Sequence, residues 1–271
     1  MNQLQPMKKH FFPSVIVFIC FLVLLNSSFT PVQKAPALQY YQLTIYHTKN
    51  TGQLTVINDY LKNVYLPVLH KNGLADIGVF NAHGNDTATD KKLFVLIPFA
   101  NLQKFESLMK TLSDGTLIKN DTSAYTNAAF NNAPYERMET VLLKAFKDMP
   151  VLKKPASEGP YPERVYELRS YEAATEKLYR QKVYMFNEGG EVTLFDRLQF
   201  NAVFYAEVLT GSHMPNLMYM TTFKNMAERD DHWKEFGSDS TWKRISALPE
   251  FQNTVSKSDI YFLYPADYSD Y

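Results

Sequence analysis

Cysteine is almost absent from this 271-residue sequence. The one cysteine, Cys20, lies inside an apolar run near the N-terminus. The rest of the chain therefore cannot contain a disulfide framework, a cysteine nucleophile, a thiolate zinc site or an iron–sulfur cluster. Its stability has to come from hydrophobic cores, and a chain of this length can form such cores in two ordinary domains.

An excess of charge of one sign is also lacking. The sequence has 28 basic and 28 acidic residues and contains no run of five or six like charges. A nucleic-acid groove needs a basic excess on one face, because binding depends on releasing counterions from the phosphates. We therefore expect no nucleic-acid partner.

Several catalytic motifs are missing as well. The sequence contains no Gly-x-Ser-x-Gly, no Gly-x-x-x-x-Gly-Lys and no Gly-x-Gly-x-x-Gly, so it predicts neither a nucleophile elbow nor a phosphate-binding loop. Beyond the N-terminal segment, the histidines form neither His-x-His nor His-x-x-x-His; they are His47, His70, His83, His213 and His232. We predict no metal site and no cofactor. A haem ligated by the loop residue His213 is a less favoured alternative.

The N-terminal segment has the composition of a secretory leader. Lys8, Lys9 and His10 precede "FFPSVIVFICFLVLL", and the polar stretch "NSSFTPVQKAPA" follows. This pattern predicts a signal peptide within residues 1–37 and an exported protein, periplasmic or extracellular. The apolar run is shorter than the roughly 20 residues that span a bilayer, although an uncleaved N-terminal anchor is the alternative. We find no second apolar segment of spanning length.

One sequence element occurs twice. "YYQLTIY" in the first half resembles "VYELRSY" in the second. Nearly constant offsets of 125, 125 and 124 residues separate three pairs: Tyr46 and Tyr171, Phe80 and Tyr205, and Asn101 and Asn225. A constant offset is typical of a duplicated unit, while chance similarity of aromatic-rich strands is the alternative. We predict a degenerate unit at 38–149, a Pro-rich linker at 150–162 and a second unit at 163–271.

Both units have the same order of elements. Apolar residues alternate as in a strand, recur at helical spacing, and then form two strands, a second helix and a closing strand. This β-α-β-β-α-β order is typical of ferredoxin-like units, in which both helices lie on one face of an antiparallel sheet. The predicted fold class is α+β, with two tandem ferredoxin-like (βαββαβ) units packing sheet to sheet.

Local signals refine this pattern. Asn101 and Asn225 are predicted to cap helices, and Gly189-Gly190 is predicted to interrupt one. We also expect the helix after Asn225 to bury Met226, Trp233 and Phe236. "FGSDS" is read as a glycine stop followed by the cap of a helix that carries Trp242.

The second unit resembles the NIPSNAP family. "VYELRSY", "MFNEGGEVTLF" and "MPNLMYMTTFKNMAERDDHWKEFGSDSTW" carry the resemblance. The positions that match the family pattern are Tyr166, Glu167, Leu168, Arg169, Tyr171, Ala227, Arg229, Asp239 and Trp242. The resemblance covers essentially all of 163–271 and implies the dimeric α/β-barrel superfamily, which includes small monooxygenases and haem proteins. That the two tandem units pack sheet to sheet as an α/β barrel is what this resemblance of the second unit implies. It provides no catalytic residues to carry over, and it leaves a homodimer open.

Polar residues at two-residue spacing suggest a ligand site in the second unit. Glu167 and Arg169 share one face of a strand, and strand pairing could bring Tyr205, Glu207 and Tyr219 to the same side. If that side is the inner sheet face, a carboxylate, a guanidinium and phenols would line a ligand-binding pocket. The alternative is a structural salt bridge. Because Gln42 and Thr44 replace the charged pair in the first unit, we expect the site in the second unit alone.

Glu188 and Glu191 form a second carboxylate pair. The pair could perform acid–base chemistry if its two environments separate the pKa values. A helix break at Gly189-Gly190 followed by a new helix start explains the same residues, and we favour this structural interpretation.

The sequence thus favours an exported NIPSNAP-like protein that binds a small ligand or a protein partner. The alternative is a small barrel enzyme, either a cofactor-free or haem-dependent oxygenase or an isomerase, with Glu207 as the candidate base. A packed barrel interior would favour binding, whereas a cavity lined by the five candidate residues would favour the enzyme.

Overall fold

The computed structural model describes residues 1–3, 37–113, 115, 119–155 and 159–271. The described residues from 37 onward belong to one compact unit. Nearly all of the expected signal peptide lies outside the described residues, so that interpretation stays a prediction. No helix in the described ranges is long and apolar enough to cross a membrane.

The described part of the chain contains eight strands and seven α-helices. The strands are β1 (Tyr40–Thr48), β2 (Gly78–Ala82), β3 (Lys91–Phe99), β4 (Arg137–Ala145), β5 (Val165–Glu172), β6 (Phe204–Thr210), β7 (Asn216–Phe223) and β8 (Lys257–Pro265). The helices are α1 (Thr51–Tyr60), α2 (Leu66–Lys71), α3 (Leu102–Ser113), α4 (Glu176–Phe186), α5 (Glu191–Arg197), α6 (Met226–Ser238) and α7 (Ser240–Ser246). A π-helical segment, Leu61–Tyr65, joins α1 to α2.

The strands form one closed barrel in the order β1-β3-β2-β8-β5-β7-β6-β4, and neighbouring strands are antiparallel. The first half contributes β1 to β4 and the second half β5 to β8. Pairing of β2 with β8 and of β4 with β6 joins the halves edge to edge. The predicted mixed α/β barrel is therefore confirmed. Hydrogen bonding between the halves closes the strands into a single barrel, which pairs every sheet edge among the described strands.

The predicted helix caps are present. Asn101 Oδ1 accepts a hydrogen bond from the Lys104 backbone N–H at 2.9 Å, and Asn225 Oδ1 accepts one from the Glu228 N–H at 2.9 Å. Each bond satisfies a backbone donor that has no partner within the first turn of the helix. These caps fix where α3 and α6 begin on the outside of the barrel.

The predicted helix break is also confirmed, while the predicted burial of Met226 and the predicted helix stop at Gly237 are wrong. Gly190 has φ +87° and separates α4 from α5, a left-handed conformation that favours glycine. Met226 is 39% exposed, because the first turn of α6 projects beyond the core. Gly237 lies inside α6, and Asp239 ends that helix and caps α7.

Side chains from the strands fill the barrel interior. Its largest rings are almost fully buried; they are Tyr41, Phe80, Phe94, Tyr166 and Phe204. The ring centroids of Tyr41 and Phe204 lie 5.3 Å apart, and those of Phe80 and Tyr166 lie 5.0 Å apart. Burying a large apolar side chain contributes about 1.5–3 kcal/mol. The interior is therefore a hydrophobic core that holds the two halves together.

The helices cover the outer face of the barrel. In the second half, α4, α5 and α6 pack on the strands through Phe186, Phe195 and Phe236. Tyr205 and Tyr219 belong to this same helix-covered cluster rather than to the barrel interior.

Strand alternation on β5 places the other candidate residues on the same outer side. Leu168 belongs to the interior cluster, whereas the flanking Glu167 and Arg169 bond to one another and Glu167 contacts α6. The expected inner sheet face is therefore the wrong location for Glu167, Arg169, Tyr205, Glu207 and Tyr219. The reason is that both faces of this sheet are buried, and the apolar alternation alone does not distinguish them.

Candidate functional site

Glu167 lies at the centre of an ionic cluster between β5 and α6. Its side chain is fully buried, and Arg229 donates to both carboxylate oxygens at 2.9 Å. Arg169 Nε donates to Oε1 at 2.7 Å, and the Trp233 indole N–H donates to Oε2 at 2.8 Å. Two guanidinium groups and one indole thus satisfy a single carboxylate. We call Glu167, Arg169, Arg229 and Trp233 the Glu167 cluster.

Charge and hydrogen bonding outweigh burial in this cluster. Burial alone would raise the pKa of Glu167, but the hydrogen bonds from Arg229 and the charge of Arg169 bring its pKa below the ordinary value. The Arg169 guanidinium also lies 3.7 Å from the centroid of the Trp233 ring, in the geometry of a cation–π contact. Glu167 is therefore ionised and paired at neutral pH.

The hydrogen bonding continues from Arg169 to β7. Arg169 Nη1 donates to the Tyr171 hydroxyl at 2.9 Å, and that hydroxyl lies 2.9 Å from the Tyr219 hydroxyl. Three of the five predicted site residues, Glu167, Arg169 and Tyr219, are thus connected. They bind one another and α6, which favours the salt-bridge interpretation over an open ligand pocket.

The other two predicted residues have separate environments. Tyr205 packs between Phe186 and Phe195, with ring centroids 5.8 Å from each. Glu207 accepts a hydrogen bond from the Tyr179 hydroxyl at 3.0 Å. Neither residue hydrogen-bonds to the Glu167 cluster in the described structure.

Glu188 and Glu191 also have different partners. Glu191 is buried at the start of α5 and bonds to Lys182 Nζ at 2.8 Å. Glu188 is exposed and lies 3.5 Å from Lys147 Nζ. This arrangement favours the structural interpretation, in which the break at Gly190 starts a new helix.

The corresponding face of the first half contains a cavity. The offset of 125 residues places Gln42 and Thr44 at the positions of Glu167 and Arg169. Both line a cavity of about 320 Å³ between the outer sheet face and the helices, within the range typical of ligand sites. The lining residues are Gln42, Thr44, Tyr46, Tyr60, Tyr65, Val95, Met109, Leu112, Tyr125, Met138 and Thr140. We call this cavity the tyrosine cleft.

Gln42 leaves an acceptor without a partner in the tyrosine cleft. The residue is 7% exposed, and its Nε2 donates to Thr44 Oγ1 at 3.1 Å. Its Oε1 is buried and has no hydrogen-bond partner among the described residues. An unsatisfied buried acceptor costs about 1–3 kcal/mol. A ligand that donates a hydrogen bond to Oε1 would remove this cost.

The tyrosines are arranged by an irregular helix. The Tyr60 and Tyr125 rings stack at 4.0 Å between centroids, and the Tyr60 and Tyr65 centroids lie 5.8 Å apart. Tyr60 precedes the π-helical segment and Tyr65 is its last residue; at its end the Leu66 N–H bonds to the Leu61 carbonyl five residues earlier. The wider turn brings residues five apart toward one face, and such π turns are frequent at functional sites.

Burial keeps the phenols neutral. Burial, with a smaller effect from the charge of Asp121, raises the pKa of Tyr60 to about 12. Burial is also the main cause that raises the pKa values of Tyr46, Tyr65 and Tyr125 well above the ordinary value. The described lining residues include no carboxylate and no imidazole. The cleft therefore provides neutral hydrogen-bonding groups and apolar surface.

A smaller side chain explains why the first half is open. The offset of 124 residues places Phe105 and Met109 of α3 at the positions of Arg229 and Trp233. Phe105 packs against Phe99 with centroids 5.5 Å apart. Met109 lines the cleft where the second half has the larger Trp233 ring.

The tyrosine cleft was not predicted from the sequence. Gln42 and Thr44 were instead interpreted as evidence that a ligand site lies in the second unit alone. A different signal was available, namely two polar residues in an otherwise apolar strand, close in sequence to a helix rich in tyrosine. That signal indicates a polar cavity only together with a second one, namely that the first half has the smaller Met109 at the position that matches Trp233.

Comparisons with known proteins bear on both halves. Residues 166–270 match the family model NIPSNAP. A search of curated protein sequences found no significant match to the chain. The chain is similar in fold to a candidate monooxygenase from Lactobacillus acidophilus NCFM (TM-score 0.54, 11% identity, covering 84% of this chain and 94% of that one).

Two other solved structures give comparable values. A candidate monooxygenase from Fusobacterium nucleatum has a TM-score of 0.52 and 9% identity over 84% of this chain and 93% of that one. An anthrone oxidase-like protein has a TM-score of 0.50 and 9% identity over 86% and 93%. At such identities the likeness is one of fold, and it covers both halves of the barrel.

Proposed function

We propose that this protein, whose residues 166–270 match the NIPSNAP family model, binds a small neutral molecule in the tyrosine cleft of its first half. The unpartnered Oε1 of Gln42, buried in a cavity of about 320 Å³, is the observation that carries this proposal. The second half contributes to the common barrel core and fills the matching position between its sheet and α6 with the Glu167 cluster. Function and family resemblance thus lie in different halves.

The lining of the cleft specifies the ligand chemistry. Gln42 Oε1 requires a donor, so the ligand carries a hydroxyl or an N–H group. The rings and aliphatic side chains of the lining favour an apolar body of aromatic or alicyclic type. A charged ligand is disfavoured, since the lining offers no countercharge and burying an unpaired charge is costly. A phenol or an aryl carbinol has these properties.

The enzyme hypothesis receives less support. The solved structures that share the fold include proteins described as monooxygenases, but a shared fold does not establish shared chemistry. Glu207, the candidate base, is paired with Tyr179 and does not line the tyrosine cleft. We therefore favour binding without turnover over an oxygenase or isomerase reaction.

The proposal is tested with sets of related compounds on the full-length protein. Each neutral aromatic alcohol is compared with its methyl ether and with the corresponding carboxylate by saturation-transfer NMR. We expect the alcohol to bind about 5- to 150-fold more tightly than the ether, corresponding to the 1–3 kcal/mol of one satisfied buried acceptor. Equal binding of alcohol and ether would contradict the assigned role of Gln42.

Two variants sharpen the test. Gln42→Leu should abolish the preference for the alcohol, and Met109→Trp should close the cleft by introducing the residue found at the matching position of the second half. Glu207→Gln is the matched control in the second half and should leave binding unchanged. Binding that survives Met109→Trp would place the ligand elsewhere.

We also propose that the two halves are duplicated ferredoxin-like units. The strand order β4-β1-β3-β2 of the first half repeats as β8-β5-β7-β6 in the second, which supports duplication. An experimental structure tests this, because the four strands of each half should superpose in that order without permutation. A match that requires a different strand order would refute it.

Export of the protein is a further proposal. The basic residues Lys8 and Lys9 before a short apolar run support a cleaved leader. Mass spectrometry of the protein recovered from its own source should find a new N-terminus within or directly after residues 1–37. An intact N-terminus in a membrane fraction would favour the anchor instead.

A further inference from the structure

One end of the barrel carries a ring of polar residues. The inward-facing positions at the ends of β1, β4, β5 and β8, together with the β6–β7 loop, form a small cavity of about 80 Å³. Its polar lining residues are His47, Lys92, Glu139, Ser170, Ser212, His213 and Asp259. Apolar core residues such as Leu168 and Met218 form the rest of the lining. We call this end the barrel mouth.

Three side chains at the barrel mouth have the composition of a metal site. Glu172, His213 and Asp259 each offer one ligand atom, and these atoms lie within 4.8 Å of one another. His213 Nδ1 lies 3.0 Å from Glu172 Oε1. The three residues come from β5, the β6–β7 loop and β8, so no short sequence motif could reveal the set. This arrangement explains why histidine spacing led us to expect no metal site.

A lysine ammonium occupies the position of a cation in this cluster. Lys257 Nζ lies 3.3 Å from Glu172 Oε1 and 3.2 Å from Asp259 Oδ2. Its side chain is 54% exposed, so it can leave the cluster for solvent without crossing the core. The two carboxylates therefore already share one positive charge, which a metal ion could replace.

A buried polar atom without a hydrogen-bond partner lies next to the cluster. Asn216 is 1% exposed and is the direct cross-strand partner of Glu172. Its Nδ2 donates to Ser170 Oγ at 2.8 Å, while its Oδ1 has no partner among the described residues. His47 Nε2, also at the barrel mouth, makes no hydrogen bond within the described structure and lies 3.7 Å from Glu139 Oε1. Buried polar atoms normally have hydrogen-bond partners, and an ion with its bound water would supply one to Asn216 Oδ1.

We infer that the barrel mouth binds one divalent transition-metal ion through Glu172, His213 and Asp259, in competition with Lys257. One imidazole and two carboxylates suit Zn²⁺, Mn²⁺ or Co²⁺ better than Ca²⁺, which takes six to eight oxygen ligands, or Mg²⁺, which requires near-ideal octahedral oxygen geometry. The site lies at the end of the barrel and shares no lining residue with the tyrosine cleft. Metal binding is therefore independent of the proposed function.

The inference is tested by titrating the metal-free full-length protein with Zn²⁺ and Co²⁺ in a calorimeter. We expect one ion per chain. Loss of an outer-sphere partner commonly weakens metal binding about 10- to 100-fold, so losing a direct ligand in Glu172→Gln or Asp259→Asn should weaken it at least tenfold. The visible absorption of bound Co²⁺ should change in His213→Gln.

Lys257→Met gives the distinguishing result. Removing the competing ammonium should tighten metal binding about two- to tenfold, the range expected when exposed ion pairs no longer have to be broken. A protein that merely unfolds cannot show tighter binding. Metal binding that is unchanged or weaker in Lys257→Met would overturn the inference. So would the absence of stoichiometric metal binding in both the original protein and this variant.

His70 provides a matched control. His70 Nε2 lies 3.0 Å from Asp270 Oδ2, with side-chain exposures of 43% and 21%, against 43% and 23% for His213 and Glu172. No third ligand group completes that pair in the described structure. His70→Gln should leave the affinity and the Co²⁺ spectrum unchanged. A loss of metal affinity in His70→Gln equal to that in the ligand variants would mean that surface histidine–carboxylate pairs, and not the barrel mouth, bind the metal.

Discussion

Glu167→Gln should destabilise the second half of the barrel by removing the charge that two guanidinium groups share. In the folded protein the Glu167 carboxylate is fully buried, and Arg169 and Arg229 are only 12% and 17% exposed. The glutamine side chain has nearly the same shape. It supplies one oxygen acceptor where the carboxylate supplies two, and it carries no charge.

The expected size follows from the charges left behind. Removing one partner of a buried ion pair costs about 3–5 kcal/mol. Arg229 keeps its ion pair with Asp230 at 2.8 Å, so Arg169 is the guanidinium left without a carboxylate partner. For a domain of 150–250 residues, 1 kcal/mol lowers the Tm by about 2–4 °C. The variant should therefore melt about 6–20 °C below the original protein at neutral pH.

The pH dependence gives an independent check. The folded-state pKa of Glu167 lies below its ordinary value, so its contribution to stability is fully present above the unfolded-state pKa. That contribution is lost as the pH falls through the folded-state pKa. The difference in unfolding free energy between Glu167→Gln and the original protein should therefore be largest at neutral pH and shrink in acid.

Urea unfolding followed by the fluorescence of Trp233 and Trp242 measures both effects, since both tryptophans lie in the second half. Glu207→Gln serves as the control, because its carboxylate has a single described side-chain partner, Tyr179. A Glu167→Gln protein within about 0.5 kcal/mol of the original, the usual range for surface substitutions, would refute the reasoning. A difference that does not change with pH would refute it as well.

Two further stability predictions follow from local contacts. Lys182→Met should lower the unfolding free energy by about 3–5 kcal/mol, because it leaves the Glu191 carboxylate, which is 3% exposed, unpaired. Lys147→Met removes an exposed ion pair and should change the unfolding free energy by about 1 kcal/mol or less. Similar losses in the two variants, measured by urea unfolding, would contradict this distinction. Gly78→Ala should cost about 1–3 kcal/mol because the added Cβ would lie 2.3 Å from the Phe80 ring, and an unchanged melting temperature would show that the ring moves aside freely.

The sequence was sufficient to predict the elements and their order. Alternation in β5 and β7, the caps at Asn101 and Asn225, and the break at Gly190 depend on interactions within a few residues. Such local interactions can be recognised directly from residue types and spacing. The α/β barrel itself was predicted from the resemblance of the second unit to a known family.

The faces of the sheet could not be predicted in the same way. Each strand of this barrel is buried on both sides, by the interior core and by the helices. The two-residue spacing shows that Glu167 and Arg169 share a side, but it does not show which side. Arg229 and Trp233, more than sixty residues later, determine the answer by bringing α6 over β5.

The tyrosine cleft depends on long-range packing too. Its polar floor comes from β1, its tyrosines from the irregular helix and from Tyr125, and its open space from Met109. None of these features indicates a cavity alone. The cavity can be recognised when Met109 is compared with Trp233, which occupies the matching position in the second half.

Native mass spectrometry of the protein purified from its own source tests the central claim most directly. The original protein should retain a small neutral molecule, and Met109→Trp, prepared in the same way, should have lost it while remaining folded. The same adduct on both proteins, or an adduct lost with Glu207→Gln and kept in Met109→Trp, would contradict a ligand site in the tyrosine cleft.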